Sequence, residues 1–373
     1  MAKKILCIII SAIILLSTVP LALASVPGDV NANGKLSSED ARIVLRASVE
    51  LETLTEEQTK EADAFKDGKI NAKDARTLLR VSVELETLLP YEEREDMRVP
   101  PINASLTNHS TASLIYCVDD SRILLEYEPD KKISTASTSK LLTAVVALSY
   151  FSPEEEITIG SEVNLYHPGS SLCGLYEGVR LTFYDLLTGL LVESGNEAAY
   201  VVAAQTARKA FPDKTFTDRE AVDAFIVLMN EKAKSIGMHS SNFTSPEGWD
   251  DINHYSTVKD LLTLTKYALY YKEIDEIVRL EAVTVTVLSG ETFYWENTNK
   301  LLRQDSEYYM PEATGIKTGT TPFAGSALIS RVTESGKSYI LINIGCYDDS
   351  GRYGIVKEMY ELIKNYNLTK AMG

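Results

Sequence analysis

Ser137 and Lys140 stand three residues apart in "ISTASTSKLL", residues 133–142. On a helix that spacing puts a hydroxyl and an amine on one face. A serine hydroxyl attacks a carbonyl only when a base takes its proton, and a lysine serves as that base once burial lowers its proton affinity. The run also holds Ser134, Thr135, Thr138 and Ser139, but Ser137 alone among them has lysine at +3. The pair by itself is weak: Ser256 and Lys259 repeat it further on. The residues downstream of Ser137 separate the two pairs. Ser194-Gly195-Asn196 lies in "LLVESGNEAAYVV", and Lys317-Thr318-Gly319-Thr320 in "GIKTGTTPFAG". The pair at 256 has no Ser-x-Asn between it and Lys317. A second Ser-x-Asn, Ser240 to Asn242, lacks the apolar helical context of Ser194.

Together these residues can carry out acyl transfer. Ser137 is the expected nucleophile and Lys140 its base, with Lys317 as a second cation lowering the proton affinity further. Ser194 can pass a proton to a leaving amine, and Asn196 can hydrogen-bond a substrate amide. Lys317, Thr318 and Thr320 can grip a substrate carboxylate, and Gly319 on an edge strand lets a substrate backbone come close. The backbone N–H groups of Ser137 and Thr320 would form an oxyanion hole, each donor worth about 3–4 kcal/mol in comparable enzymes. No Gly-x-Ser-x-Gly accompanies the four histidines, and His254, in "INHYS", reads as structural.

The order Ser-x-x-Lys, Ser-x-Asn, Lys-Thr-Gly resembles that of penicillin-binding proteins and serine β-lactamases. "ASTSKLLTA", "GSSLCGLYEGVRLTFYDLLTGLLVESGNEAA", "HYSTVKDLLTLTKYAL", "NTNKLL" and "GIKTGTTPFAGSALI" extend the resemblance over residues 102–373. It is to low-molecular-mass D-alanyl-D-alanine carboxypeptidases of the DacA type. The resemblance implies removal of the terminal D-alanine from peptidoglycan pentapeptides by an acyl-enzyme on Ser137, acylation by β-lactams, and no cofactor for catalysis. Two alternatives stand beside it. A β-lactamase of the same fold would need a Glu-x-x-Leu-Asn loop, which the sequence lacks, and a non-catalytic wall-binding protein would not need the whole set. Thr320 stands where the family often has an aromatic residue or histidine, so substrate preference is expected to differ.

These residues need a scaffold. "ASLIYCVDDSRILLEYE" reads as a hairpin turning at 119–121, and "KLLTAVVAL" as a buried helix with Ser137 in its first turn. Helical patterns cover 182–207, 257–271 and about 352–366, and "AVTVTVL", "GSALISRV" and "SYILINIGCY" read as strands. Strands at both ends with helices between predict an α+β domain whose antiparallel sheet joins the two ends. The resemblance implies a DD-peptidase/β-lactamase-like fold with a helical subdomain.

The N-terminal part differs. "ARIVLRASVELETL" (41–54) and "ARTLLRVSVELETL" (75–88) agree at 11 of 14 positions, and each comes after an Asp/Asn/Gly-rich loop. In the first loop, Asp29, Asn31, Asn33, Lys35 (through its carbonyl), Ser37 and Asp40 fall at positions 1, 3, 5, 7, 9 and 12, with Gly34 at the sharp turn. That spacing wraps oxygens around one calcium ion. The second loop offers Asp63, Asp67, Lys69, Asn71 and Asp74, but Phe65 replaces the ligand at position 3 and predicts weaker binding. A small all-α duplicated module with Asp at position 12 resembles a dockerin over 27–88. That resemblance implies a cohesin-bearing scaffold as partner.

Bulk properties agree. The chain has 373 residues and a net charge of -16, which disfavours nucleic acid as a partner. Lys3, Lys4, the apolar run from Ile5 to Leu16 and Ala22-Leu23-Ala24 read as a signal peptide over 1–24. The expectation is a secreted protein, extracellular or attached to the cell wall. Residues 89–101, "LPYEEREDMRVPP", have linker composition. No amphipathic tail precedes Gly373, so the N-terminal module is the expected tether. Cys117, Cys173 and Cys346, too few and too scattered for a disulfide framework, read as buried thiols.

Overall fold

The computed structural model describes residues 26–91, 94, 102, 104–107 and 109–372. The leader at 1–24 lies outside the described residues. The chain forms two compact units, Met1–Val99 and Pro100–Gly373.

In the first unit each oxygen-rich loop leads into a helix: α1 (Ser38–Ala47) and, after a short α2 (Glu56–Ala62), α3 (Ala72–Ser82). The ends of the loops also start the helices. Ser37 with Asp40, and Asn71 with Asp74, form reciprocal capping boxes that satisfy N–H groups a helix start leaves free. Val30, Ala41, Val44, Ala62, Ala75 and Leu78 make the core. A core this small holds a unit together only with a further staple.

Within the segment 89–101, Arg94 packs against the first unit's helix–loop region. Arg94 is buried: its Nε donates to the Leu89 carbonyl (2.9 Å) and its Nη1 to the carbonyls of Lys60 and Asp63 (both 2.9 Å). Glu61 pairs with it at 3.4 Å. A guanidinium given this many acceptors stays inside despite its charge.

The second unit runs β1 (Ala112–Cys117), β2 (Arg122–Tyr127), α4 (Lys140–Ala147), β3 (Glu156–Thr158), β4 (Arg180–Thr182), α5 (Phe183–Leu191), α6 (Asn196–Ala210), α7 (Asp218–Ser235), α8 (Val258–Ala268), α9 (Lys272–Ile277), β5 (Ala282–Thr286), β6 (Thr292–Glu296), β7 (Ala313–Thr321), β8 (Gly325–Glu334), β9 (Lys337–Cys346) and α10 (Asp349–Met372). Five strands form an antiparallel sheet in the order β2-β1-β9-β8-β7, so the first strands do join the last. The run at 282–288 is not part of it; β5 pairs with β6 in a separate hairpin.

Side chains alternate across the sheet. Leu114, Tyr116, Ile329, Ile340 and Ile342 enter the larger core beneath α4 to α9. Ile115, Cys117, Leu328 and Leu341 face the other way, against Tyr353, Val356, Met359 and Ile363 of α10. Both faces are covered, which is why β1 is buried at every position. All eight residues of α4 are buried as well. A helix enclosed on all sides is apolar all round; Thr143 satisfies its hydroxyl on the Pro246 carbonyl (2.6 Å), and Lys140 is the one charge to be explained. The three cysteines are buried and unpaired. Among the described residues, no helix is long and apolar enough to cross a membrane.

Candidate active site and calcium loops

Ser137 lies in a 3-10 turn, Ala136–Ser139, one turn ahead of α4 rather than inside it. The turn is tightly held. Ala136 has a left-handed backbone (φ 46°), rare for a residue with a side chain. Thr135 and Ser139 hydroxyls meet at 2.6 Å, and both meet His254 Nε2, at 3.1 and 2.9 Å. His254 Nδ1 accepts from the Thr244 N–H (3.1 Å), so its proton sits on Nε2 and the ring is neutral. Burial pushes its pKa down to about 4. The histidine that reads as structural thus braces the Ser137 turn, and Ser139 is part of the brace. Gly248 completes the packing: at φ 89°, a Cβ there would lie 1.8 Å from the Ala136 carbonyl oxygen.

Lys140 is fully buried beside this turn. Its Nζ lies 2.7 Å from Ser137 Oγ and donates to Asn196 Oδ1 (2.6 Å) and to the Glu247 carbonyl (3.2 Å). Burial pulls its pKa down to about 8, while Glu247 and Glu197 hold it up. Lys140 in turn acts on the second lysine. Burial, then Lys140 and Arg352, drives Lys317 well below the ordinary lysine value. The two amines share a site that does not readily hold two charges.

Ser194 and Asn196 sit where the single helix expected over 182–207 breaks. α5 ends at Leu191, Ser194 adopts a left-handed backbone (φ 64°), and α6 starts at Asn196. Gly195 allows the break, because a Cβ there would lie 2.5 Å from Cys173 Sγ. Ser194 is buried in the turn. Asn196 has acquired a partner the sequence did not suggest, Lys140.

Lys317, Thr318, Gly319 and Thr320 lie on β7, the edge strand of the sheet. Lys317 and Thr318 are buried, and the Thr318 hydroxyl meets that of Thr298 at 2.6 Å. A Cβ on Gly319 would lie 2.9 Å from Ala136 Cβ and 3.0 Å from Ser137 N. The close approach that Gly319 permits is therefore first that of the chain to itself: β7 is drawn against the Ser137 turn. Sequence reasoning missed Arg352, from α10. It is buried, and its Nη1 donates to the Gly319 carbonyl (3.2 Å) and Thr320 Oγ1 (3.1 Å). Nothing around a lone arginine near a helix start marks it in advance. Asp250 was missed too. Its carboxylate accepts from Ser134 Oγ (2.9 Å), Thr321 Oγ1 (2.6 Å) and Phe323 N (2.9 Å), tying three loops at the mouth of the site.

The structure keeps the other Ser-x-x-Lys apart. Ser256 Oγ meets Ser241 Oγ at 2.7 Å, and Lys259 pairs with Asp130 at the surface. Helix α8 starts between them, capped by Thr257.

In the first unit the loop oxygens turn inward. Asp29 accepts from the N–H groups of Asn33 (3.1 Å) and Gly34 (2.7 Å), Asn31 from Asn33, and Asn33 from Lys35. Asp40 accepts from Asn31 and Ser37. The second loop repeats the pattern with Asp63, Asp67, Asn71 and Asp74. Phe65 lies under Lys73 Nζ, 3.6 Å from the ring centroid, and supplies no oxygen. Burial, and after it the charges of Asp67 and Asp63, raise the Asp74 pKa to about 6. Among the described residues no three His, Cys, Asp or Glu side chains group as a metal site. Asn, Ser and main-chain oxygens must complete either loop, a donor set that suits a hard cation such as calcium.

Comparison with known proteins places both units. The family model for D-alanyl-D-alanine carboxypeptidases matches residues 100–347, and that for the dockerin type I domain matches residues 27–80. A D-alanyl-D-alanine carboxypeptidase of Streptomyces sp. strain K15 is 31% identical over 223 residues, 57% of this chain and 72% of that protein. Of the next three curated relatives the chain spans 63%, 55% and 53%. The solved Streptomyces K15 DD-transpeptidase superposes with a TM-score of 0.62 at 27% identity, covering 71% of this chain and 99% of that one. Penicillin-binding protein D2 from Listeria monocytogenes, in its ampicillin-bound form, superposes with a TM-score of 0.56 at 26% identity, covering 69% and 99%.

Proposed function

Given that this chain belongs to the D-alanyl-D-alanine carboxypeptidase family, we propose that it is an exported enzyme that removes the terminal D-alanine of peptidoglycan stem pentapeptides through an acyl-enzyme on Ser137. It is a serine-type DD-peptidase by family and by fold. The observation that carries the reading is the surroundings of Lys140 Nζ. A neutral amine has two N–H bonds and one lone pair. Two carbonyl oxygens, of Asn196 and Glu247, take the N–H bonds, and the lone pair is left for the Ser137 hydroxyl at 2.7 Å.

The residues then act in sequence. Ser137 Oγ attacks the carbonyl of the penultimate D-alanine as Lys140 takes its proton. The oxyanion accepts from the Ser137 and Thr320 N–H groups. The C–N bond breaks, Ser194 passes a proton to the departing amine, and water hydrolyses the ester. Asn196 orients the substrate amide. Lys317, Thr318, Thr320 and Arg352 bind the terminal carboxylate. A carboxylate there favours the charged form of Lys317.

Intact-mass measurement with benzylpenicillin tests the reading. One stoichiometric adduct is expected, and S137A abolishes it together with D-alanine release from a pentapeptide. An adduct that survives S137A overturns the assignment. Rapid turnover of a chromogenic β-lactam would favour the β-lactamase alternative, and substrate binding without D-alanine release the non-catalytic one.

For the first unit we propose calcium bound by Asp29, Asn31, Asn33, Lys35, Ser37 and Asp40, and more weakly by Asp63, Asp67, Lys69, Asn71 and Asp74. Calcium would neutralise the carboxylates that the loops turn inward. A cohesin-bearing scaffold is the proposed partner. Its support is a groove of about 370 Å³ lined by Ser38, Ala41, Arg42 and Leu45 and by Ala72, Ala75, Arg76 and Leu79. Each residue of the second set lies 34 after one of the first, so the surface presents the same pattern twice.

A further inference from the structure

Glu247 is a buried carboxylate that no step above uses. It is 1% exposed, in the loop that packs against the Ser137 turn. Its main-chain carbonyl takes one N–H of Lys140 (3.2 Å). Its side-chain Oε1 accepts from the Tyr200 hydroxyl (2.9 Å) and lies 3.2 Å from His167 Nδ1. Oε2 is buried with no hydrogen-bond partner. Burying half a carboxylate unpaired is costly unless positive charge lies near, and Lys140 is the buried amine it faces. His167 carries the arrangement to the surface. Its ring stacks on Trp249 (4.4 Å, 6° between planes), and 39% of its side chain is exposed.

We infer that Glu247 is a positioning residue for the reaction at Ser137: its carbonyl aims the Lys140 amine, its carboxylate sets the pH at which that amine becomes a free base, and His167 supports the charged carboxylate from the solvent side. The inference rests on the reading of Ser137 and Lys140 as nucleophile and base.

The other groups in reach leave that role to Glu247. Glu197, on α6, also acts on Lys140, and it too has Oε1 held, by the N–H groups of Gly174 (2.7 Å) and Leu175 (3.2 Å), and Oε2 buried without a partner; what sets Glu247 apart is the main-chain carbonyl it gives Lys140. Burial and Glu197 keep the Cys173 thiol protonated. Lys317 repels Lys140 from the β7 side. Around Glu247, burial keeps the Tyr200 phenol protonated, with Arg219 beyond it, and leaves His254 neutral above about pH 4. Asp250 and Asp251, in the same loop, face His254.

Charge sets the direction of each effect. E247Q keeps the size of the side chain and an oxygen for Tyr200 but removes the charge that favours the ammonium form of Lys140. The acid limb of the acylation profile should move to lower pH, by about one unit. H167A takes from the carboxylate a hydrogen bond that favours its charged form, and should move the limb the same way by less. A packing defect would lower the rate at every pH without moving the limb.

The experiment measures the rate of benzylpenicillin acylation against pH on the full chain, by intact mass. A limb displaced to lower pH in E247Q, and the same way by less in H167A, supports the inference. An unmoved limb in both, or an equal loss of rate at every pH, overturns it. Should E247Q not fold, H167A still decides, because His167 is partly exposed. No adduct on the unsubstituted chain at any pH would overturn the Ser137 assignment itself, and the inference with it.

Discussion

His254 shows how a residue far from the reacting atoms reaches them. It is neutral, 1% exposed, and hydrogen-bonded on both ring nitrogens, with the Ser137 turn on one side and the Thr244 backbone on the other. Its pKa is about 4 in the folded chain and 6.5 when unfolded. Between those values the unfolded chain holds a proton that the folded chain does not. The stability it contributes is complete above pH 6.5 and is lost as pH falls towards 4, by about 3 kcal/mol in all. Urea titrations at neutral pH and near pH 4.5 should show H254Q less stable than the parent at neutral pH, with the difference shrinking in acid. An equal difference at both would mean that His254 titrates alike in both states.

At the scale of elements, the site is made by the convergence of a turn, a helix break, an edge strand and a loop. Each junction needs a residue without bulk or with unusual backbone geometry. Gly319 lets β7 lie against the Ser137 turn, Gly195 sits over Cys173, and Gly248 passes the Ala136 carbonyl. Gly248 is the least replaceable, since both its φ of 89° and the contact with main-chain oxygen exclude a side chain. G248A should cost more than about 2 kcal/mol in a denaturant titration and slow penicillin acylation, because the loop can make room only by moving the Ser137 turn. A neutral G248A would show that the loop can shift independently of the site. Helix α10 belongs to the same assembly, because its Arg352 holds the Gly319 carbonyl and Thr320.

At the scale of the molecule, two units of very different core size share one chain. The second has helices on both faces of a five-stranded sheet. The first has a core cluster of six apolar residues among those described and turns several carboxylates inward. A metal ion that binds only the folded form adds its binding energy to folding. Chelation is therefore expected to lower the melting temperature and speed proteolysis within residues 27–94, while the melting of the second unit and its penicillin acylation stay unchanged. Equal melting of the first unit with calcium and with chelator would remove calcium from the account.

Much of this was legible along the chain. Motif order singled out Ser137 over Ser256, and strand patterns at both ends predicted the sheet that joins them, because local spacing and alternation are properties of the chain itself. The 34-residue repeat announced two loops leading into two helices for the same reason. What the chain order could not contain is what meets across it. Glu247 and Asn196 reach Lys140 from 107 and 56 residues away, and Arg352 reaches Gly319 from 33. The linker composition around Arg94 concealed its burial, since composition counts a charge without counting the carbonyls that will surround it. Proton affinities belong to the same class. They depend on burial and on distant charges brought close, so the sequence determined which residues could do the chemistry, and the tertiary structure alone decided in what state they stand ready to do it.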